Sequence, residues 1–190
     1  IFCDNKMSQL QLIFGCMQSG KSTELMRRLS RYMSYLDNVL VVNSALDTRI
    51  DGEYLSTHNT QIKTTMTAKK VLSLFDIDET SYKQAHVIGL DEAQFFPDLY
   101  RFVRKALYDG KIIIVAGLDA DSSLQPFGEM IQLVPLATDV VKLKACCRAC
   151  ADGTEASYSH CIVKKESQIQ IGDGSSYIPV CWRHYQEMTK

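Results

Sequence analysis

Several features that would assign this chain to a particular class of protein are scarce or missing. No apolar run approaches the roughly 20 residues that a membrane-spanning helix needs. A basic excess is also missing, because 21 lysines and arginines are matched by 22 acidic residues and the formal net charge is −1. Proteins that bind nucleic-acid backbones usually carry such an excess. Together with the lack of repeats and low-complexity tracts, this favours neither a membrane protein nor a nucleic-acid-binding module.

A secretion signal is not apparent in the sequence either. The first residues, IFCDNKMSQ, are too short and too polar for the apolar core of a signal peptide. Cysteine, by contrast, is plentiful, with seven residues. An odd number of cysteines without a secretion signal argues against a disulfide framework. We therefore expect a cytoplasmic protein with reduced thiols that are available to bind a metal ion.

The pattern along the chain predicts an α/β fold. Apolar runs typical of buried strands occur at residues 10–14, 39–43, 86–92 and 111–117, and helical periodicity follows at 25–36, 68–75 and 99–107. Alternating strands and helices predict a parallel sheet with helices on both faces. From Ala145 onward cysteines cluster and helical periodicity weakens. We therefore predict a nucleotide-binding α/β domain at residues 1–144 and a small second domain at residues 145–190.

A phosphate-binding loop lies between the first strand and the first helix. Residues 15–22 read G-x-x-x-x-G-K-S, and the two glycines permit the backbone angles that aim successive N–H groups at phosphate oxygens. Lys21 would neutralise the β- and γ-phosphates, and Ser22 would bind Mg²⁺. The residues predicted to contact the phosphates are Gly15, Cys16, Met17, Gln18, Ser19, Gly20, Lys21 and Ser22.

Two adjacent acids end the third predicted strand. Asp91 is expected on the Mg²⁺ side, acting through water, at the edge of the sheet where α/β proteins bind ligands. Glu92 would then reach the group that attacks the γ-phosphate, which is water in an ATPase and a hydroxyl in a kinase. Phe95 and Phe96 follow, and we expect one to border a planar ligand and the other to pack in the core.

Two spaced pairs predict a metal site in the second domain. Cys147 and Cys150 form C-x-x-C, Cys181 and His184 form C-x-x-H, and 30 residues separate the pairs. Three thiolates and an imidazole suit a tetrahedral zinc ion, and a site closed by four protein ligands is structural rather than catalytic. Cys146 is a competing neighbour of Cys147.

These motifs together resemble the type II thymidine kinases, the zinc-containing enzymes of the cytosol and of viruses. The resemblance covers nearly the whole chain. It rests on motifs that occur in the family's order: SGKSTELMRRL at 19–29, DTR at 47–49, DEAQFFPD at 91–98, PFG at 126–128, VVKLKA at 140–145, IGDGSSY at 171–177 and the two cysteine pairs. It implies a RecA-like P-loop NTPase fold with a small zinc-ribbon and lasso domain.

The resemblance also implies roles for individual residues. Glu92 would take the proton from the nucleoside 5′-hydroxyl, and a flexible lasso would close over the nucleoside with main-chain hydrogen bonds. The nucleotide-binding residues beyond the loop would be Asp47, Thr48, Arg49, Asp91 and Gln94. The nucleoside-binding residues would be Met17, Phe95, Leu118, Ser122, Phe127, Ser159, Gln168, Ile169, Gln170, Ile171, Gly172 and Tyr177.

The implied activity is ATP-dependent phosphorylation of thymidine for nucleotide salvage and DNA synthesis. The implied cofactors are ATP, Mg²⁺ and a structural Zn²⁺. A homotetramer and feedback inhibition by thymidine triphosphate are also implied, with no nucleic-acid or membrane partner.

Three departures from the family pattern leave alternatives open. Cys16 and Gln18 replace a proline and an aromatic residue of the loop, and Ser122 stands where relatives carry an aromatic residue that stacks on thymine. Weaker base binding is expected unless Leu124 or Phe127 fills that space. The alternatives are a kinase of broader pyrimidine deoxynucleoside specificity, a P-loop ATPase that uses water as acceptor, and a zinc-ribbon module that binds nucleic acid.

Overall fold

The computed structural model describes residues 8–47, 54–56, 65–163 and 176–190. The first part of the chain contains β1 (Gln9–Gly15), α1 (Lys21–Met33), β2 (Val39–Ser44), β3 (Tyr54–Ser56), β4 (Thr65–Thr67), β5 (Lys69–Val71), α2 (Glu79–Gln84), β6 (Val87–Asp91), α3 (Leu99–Tyr108), β7 (Ile112–Gly117) and β8 (Asp139–Leu143). Short 3₁₀ helices lie at Leu74–Asp76, Ala93–Phe95 and Met130–Leu136. The last part contains β9 (Ala145–Cys146), β10 (Glu155–Ala156), β11 (Tyr158–Cys161), β12 (Tyr177–Val180) and α4 (Trp182–Met188).

Six strands form one sheet in the order β5-β2-β6-β7-β1-β8, and every neighbouring pair is parallel. Strand β7 therefore lies between β1, which leads into the phosphate loop, and β6, which ends in acid. Because all six strands are parallel, their carboxyl ends share one edge of the sheet. This edge brings the loop and the acids together, as α/β ligand sites require.

The core has two layers, one on each face of the sheet. Alternate residues of the central strands point to opposite faces: Leu12 and Ile88 pack with α3, whereas Ile13 and Ile114 pack with α1. The predicted parallel α/β sheet with helices on both faces is therefore confirmed.

The helix predicted at residues 68–75 is wrong. The segment instead forms β5, which pairs with β2 from Val42 to Ser44, and then the 3₁₀ helix Leu74–Asp76. Ser73 caps that 3₁₀ helix through its hydroxyl, which accepts the Phe75 N–H. The apolar spacing resembled a helix, but the open edge of β2 supplied a strand partner, and tertiary pairing overrode local propensity.

The C-terminal residues have a small apolar cluster of their own. Ala156, Val180 and Tyr185 are buried there with Cys147, and Leu124 of the main sheet's loops packs against them. Two short antiparallel sheets, β9 with β10 and β11 with β12, support this cluster. The division at residues 144 and 145 stays a prediction. Among the described residues, no helix is both long and apolar enough to cross a bilayer.

Candidate active site and metal centre

The phosphate loop links β1 directly to α1. Gly20 precedes the helix with φ of 85°, a left-handed angle that glycine adopts without steric cost. A Cβ atom at Gly15 would lie 2.8 Å from the carbonyl oxygen of Leu143, so only glycine fits against that neighbouring backbone. Gln18 also has a positive φ, 61°, which is uncommon for a residue with a side chain. The loop is therefore held in a conformation that local propensity alone does not favour.

Lys21 and Ser19 show that this loop is built for an anion. The Lys21 side chain is 8% exposed, and its Nζ donates to the Cys16 carbonyl oxygen at 2.9 Å. The buried Ser19 hydroxyl has no hydrogen-bond partner within the described residues. A buried hydroxyl without a partner is costly unless a ligand bonds to it, and a buried ammonium group favours an anion nearby. Both features fit the predicted phosphate site.

The two acids lie at the end of β6, where Asp91 is the last residue of the strand and Glu92 follows it. Asp91 is 2% exposed, and burial, with the adjacent Glu92 carboxylate, raises the pKa of Asp91 to about 7. The nearby Ser22 side chain partly opposes that rise. Ser22 and Asp91, the predicted Mg²⁺ pair, are thus neighbours in the structure.

Gln94 holds the carboxylate of Glu92 in place. Glu92 has left-handed backbone angles, φ 48° and ψ 39°, which turn the chain sharply after the strand. The Gln94 Nε2 donates to Glu92 Oε2 at 2.7 Å, and Gln94 Oε1 accepts the Leu118 N–H at 3.0 Å. The resemblance implied a nucleotide contact for Gln94, which stays a prediction, and in the structure its amide contacts Glu92.

An aromatic pair lies beside the acids. The rings of Phe95 and Phe127 meet edge to face, with centroids 5.6 Å apart and planes at 87°. Phe96 is 1% exposed, so the expectation that one of the two phenylalanines packs in the core is confirmed. A Cβ at Gly128 would lie 2.3 Å from the Gln94 carbonyl oxygen, so a glycine there lets the Phe127 loop approach.

The two residues considered as fillers for the Ser122 position have different neighbours, and Phe127 contacts Phe95. Leu124 packs instead against the C-terminal apolar cluster. The Ser122 carbonyl oxygen accepts a hydrogen bond from the Tyr185 hydroxyl at 2.9 Å. Tyr185, on α4, therefore helps fix this loop, a role that no sequence motif indicated.

The remaining predicted contacts are only partly described. Asp47 is 2% exposed, and its carboxylate accepts from Asn43 Nδ2 at 3.2 Å. Tyr177 is buried at the start of β12. The predictions that lie outside the described residues are Thr48, Arg49, Gln168, Ile169, Gln170, Ile171 and Gly172.

The four predicted zinc ligands form one cluster. Their ligand atoms all lie within 4.8 Å of one another. The Cys150 and Cys181 sulfurs are 3.8 Å apart, and the His184 Nδ1 lies 3.6, 3.3 and 3.4 Å from the sulfurs of Cys147, Cys150 and Cys181. Tetrahedral bonds to zinc would put two sulfurs about 3.8 Å apart and a sulfur and a nitrogen about 3.6 Å apart. The donor set and its spacing therefore fit Zn²⁺.

Neighbouring groups favour Cys147 over Cys146. The Cys146 side chain is exposed, and only Cys147 belongs to the four-residue cluster. The Cys147 sulfur accepts the backbone N–H of Cys181 at 3.3 Å. Backbone donors such as this one outweigh burial and lower the pKa of Cys147 to about 6. The thiolate that a metal requires is thus favoured at Cys147.

The chain also matches known proteins along most of its length. A family model described as "Thymidine kinase" matches residues 8–185. This chain belongs to the thymidine kinase family. It is 43% identical over 173 residues to the cytosolic thymidine kinase of Gallus gallus, which covers 91% of this chain and 75% of the relative. It is 42% identical over 173 residues to the Homo sapiens cytosolic thymidine kinase, covering 91% and 71%. It is 40% identical over 177 residues to the thymidine kinase of Monkeypox virus, covering 93% and 96%.

Membership in the thymidine kinase family confirms the resemblance inferred from the motifs. A kinase of this family uses ATP with a divalent metal ion, which agrees with the phosphate loop and with Ser22 and Asp91 lying near each other. Two contacts that no motif indicated connect the phosphate loop to the C-terminal residues. Cys16 contacts Ala156, and Met17 contacts Ser159.

Proposed function

We propose that the chain transfers the γ-phosphate of ATP to the 5′-hydroxyl of thymidine, in pyrimidine nucleotide salvage. The observation that carries this proposal is the placement of the phosphate loop and of Glu92 at the same edge of one parallel sheet, in a member of the thymidine kinase family. Charge-stabilising and proton-accepting groups thus face one region, which phosphoryl transfer requires.

The loop residues would bind the phosphates of ATP. Backbone N–H groups of the loop, apart from the Met17 N–H that bonds to Ser159, would surround the β-phosphate, and Lys21, released from the Cys16 carbonyl, would neutralise charge on the transferred group. Ser22 and Asp91 would hold Mg²⁺, which supplies charge neutralisation at the phosphates when bound. Asp47, Thr48 and Arg49 are proposed to lie beside the nucleotide.

Glu92 is the proposed general base. Its carboxylate would accept the proton of the 5′-hydroxyl as that oxygen attacks the phosphorus. Gln94 supports this role because its amide donates to one carboxylate oxygen and is itself held by the Leu118 N–H. The carboxylate is thereby oriented before the nucleoside binds, so little reorganisation accompanies the reaction.

The nucleoside base is proposed to lie against Phe95 and Phe127. The two rings meet edge to face close to Glu92, the proposed general base. Leu118 and Tyr177 are proposed to complete the pocket. Gln168 to Gly172 are proposed to close over the base as the lasso.

The Cys147, Cys150, Cys181 and His184 cluster is proposed to hold a structural Zn²⁺. Its four protein donors leave no open coordination position, and the apolar cluster beside it is small. A bound zinc ion would therefore supply stability that this core lacks. The domain boundary after residue 144, a homotetramer, a cytoplasmic location and feedback inhibition by thymidine triphosphate are further proposals that rest on family membership.

A transfer assay tests the proposal. The purified chain is incubated with γ-labelled ATP, Mg²⁺ and single nucleosides, and labelled nucleoside monophosphate is separated from inorganic phosphate. We expect label in thymidine monophosphate, with little inorganic phosphate when thymidine is omitted. Label released only as phosphate would identify an ATPase instead, and equal transfer to deoxyuridine would show the broader specificity.

A further inference from the structure

Two consecutive residues of the phosphate loop are fixed by the C-terminal part of the chain. The Met17 N–H donates to the Ser159 hydroxyl at 3.0 Å, and the Cys16 thiol donates to the Ala156 carbonyl oxygen at 3.4 Å. Both contacts join residues about 140 positions apart in sequence. Cys16 is 3% exposed and Ser159 is 7% exposed, so water competes little for either bond.

These contacts immediately precede the least favourable backbone conformation of the loop. Gln18, the next residue, has its positive φ of 61° without being a glycine. Such a conformation persists only when surrounding contacts hold it. The Met17 N–H bond to Ser159 on one side of Gln18 and the Ser19 N–H bond to the Cys16 carbonyl oxygen on the other both help to hold this conformation.

The strands that carry these contacts are paired with the strands that lead to the zinc ligands. Ala156 on β10 pairs with Ala145 on β9, which is followed closely by Cys147. Ser159 on β11 pairs with Pro179 on β12, which leads into Cys181. Each loop contact is thus one strand away from a residue of the cysteine and histidine cluster.

We propose that Ser159 is a positioning residue for ATP, through which the zinc-binding part of the chain sets the geometry of the phosphate loop. The family resemblance implied only a nucleoside contact for Ser159. The hydroxyl accepts from the loop backbone, so its loss should disturb nucleotide binding even when no nucleoside is present. This inference rests on the proposed function.

The test compares Ser159→Ala with Ser159→Thr, which keeps the hydroxyl. The dissociation constant of a non-hydrolysable ATP analogue with Mg²⁺ is measured by calorimetry without nucleoside, and that of thymidine is measured in parallel. Zinc content is checked in each variant. Ser34→Ala is the matched control, because within the described part of the chain its hydroxyl bonds to the Ser30 carbonyl oxygen, at the exposed end of α1.

We expect Ser159→Ala to raise the dissociation constant of the ATP analogue by about threefold to tenfold, the usual effect of one lost buried hydrogen bond. Ser159→Thr and Ser34→Ala should bind it as the unchanged chain does. An unaltered dissociation constant in Ser159→Ala, or an effect on thymidine alone, would overturn the inference.

Hydrogen exchange gives a second measurement that does not depend on ligands. The amides of residues 17 and 18 should exchange faster in Ser159→Ala than in Ser159→Thr. If Ser159→Ala fails to retain zinc, Cys16→Ala decides instead, since it leaves the C-terminal side chains unchanged. Loss of the thiol's bond to Ala156 should also loosen the adjoining Met17–Ser159 contact and raise exchange at residue 17, and an unchanged rate would refute the coupling of the loop to the C-terminal residues.

The proposed function and this inference fail separately. If the unchanged chain binds the analogue but transfers no phosphate to thymidine, the function fails and the Ser159 comparison still applies. If it transfers phosphate normally and Ser159→Ala binds the analogue normally, only the inference fails.

Discussion

At the residue scale, the sequence indicates which side chains carry the chemistry but not what orients them. The spacing of the loop and the order Asp91–Glu92 identify the reacting groups because phosphate binding needs particular residues at fixed positions. The bond from Gln94 to Glu92 and that from Tyr185 to Ser122 could not be predicted. Each joins side chains or backbone whose approach depends on the folded loops, so no local pattern reports it.

Ser122 gives a prediction at this scale. Ser122→Phe should tighten thymidine binding about tenfold, because a stacked aromatic ring contributes roughly 1–3 kcal/mol to base binding. The Tyr185 hydroxyl bonds to the backbone of Ser122, so the substitution leaves that contact in place. The predicted change in thymidine binding is checked by measuring thymidine dissociation constants by calorimetry. Ser123→Phe, at the exposed next residue, is the control, and equal or weaker binding by Ser122→Phe would show that the pocket is closed by another group.

At the element scale, the buried strands are predictable and the edge strands are not. Strands β1, β6 and β7 are mostly apolar because both faces are covered, so their composition reveals them. Strand β5 at one edge is short and polar and was mistaken for helix. The sequence of strand β8, at the other edge, was recognised only as part of the VVKLKA motif and was not predicted to be a strand. Its place is fixed partly by α1, since Arg28 binds Glu24, Gln11 and Asp139 at once.

This network predicts a pH-dependent contribution to stability. Hydrogen bonds from Arg27 and then Arg28 lower the pKa of Glu24 from 4.5 to about 2. A carboxylate whose pKa is lower in the folded state stabilises the fold above its unfolded pKa, and this contribution is lost as pH falls through the folded pKa. Glu24→Gln should therefore cost about 1 kcal/mol of unfolding free energy at pH 7, after allowing for partial exposure.

Urea unfolding at several pH values checks this prediction. The difference between Glu24→Gln and the unchanged chain should be constant from pH 7 to about 5.5 and should shrink as the pH is lowered toward 2. Glu79→Gln, in an exposed pair with Lys83, is the control and should change little. A difference for Glu24→Gln that grows on acidification would contradict the assignment.

At the scale of the whole molecule, the spacing of the predicted zinc ligands could be recognised in the sequence. The connection between these ligands and the phosphate loop could not. Pairs of zinc ligands can be recognised in a sequence because tetrahedral coordination requires characteristic spacings between them. The contacts of Cys16 and Met17 with Ala156 and Ser159 join distant parts of the chain, and only the folded structure brings them together. The stability of the C-terminal unit should therefore affect the nucleotide site as well.

Removal of a zinc ligand tests the cluster. Cys181→Ser should lose zinc by elemental analysis and lower the midpoint of thermal unfolding by about 10 °C, which corresponds to about 3 kcal/mol. Cys146→Ser is the matched control, because Cys146 is exposed and lies outside the cluster. It should keep one zinc ion per chain and full stability. If Cys181→Ser keeps its zinc ion and its full thermal stability, the zinc site is refuted.

The central claim is that Glu92 accepts the proton of a thymidine hydroxyl while the loop holds ATP. The most direct measurement is the rate of label transfer from γ-labelled ATP to thymidine by Glu92→Gln, with ATP binding measured on the same sample. Glutamine keeps the shape of the side chain but cannot act as the base, so transfer should fall by about 10²-fold or more while ATP binds nearly as before. Near-normal transfer by Glu92→Gln would contradict the account.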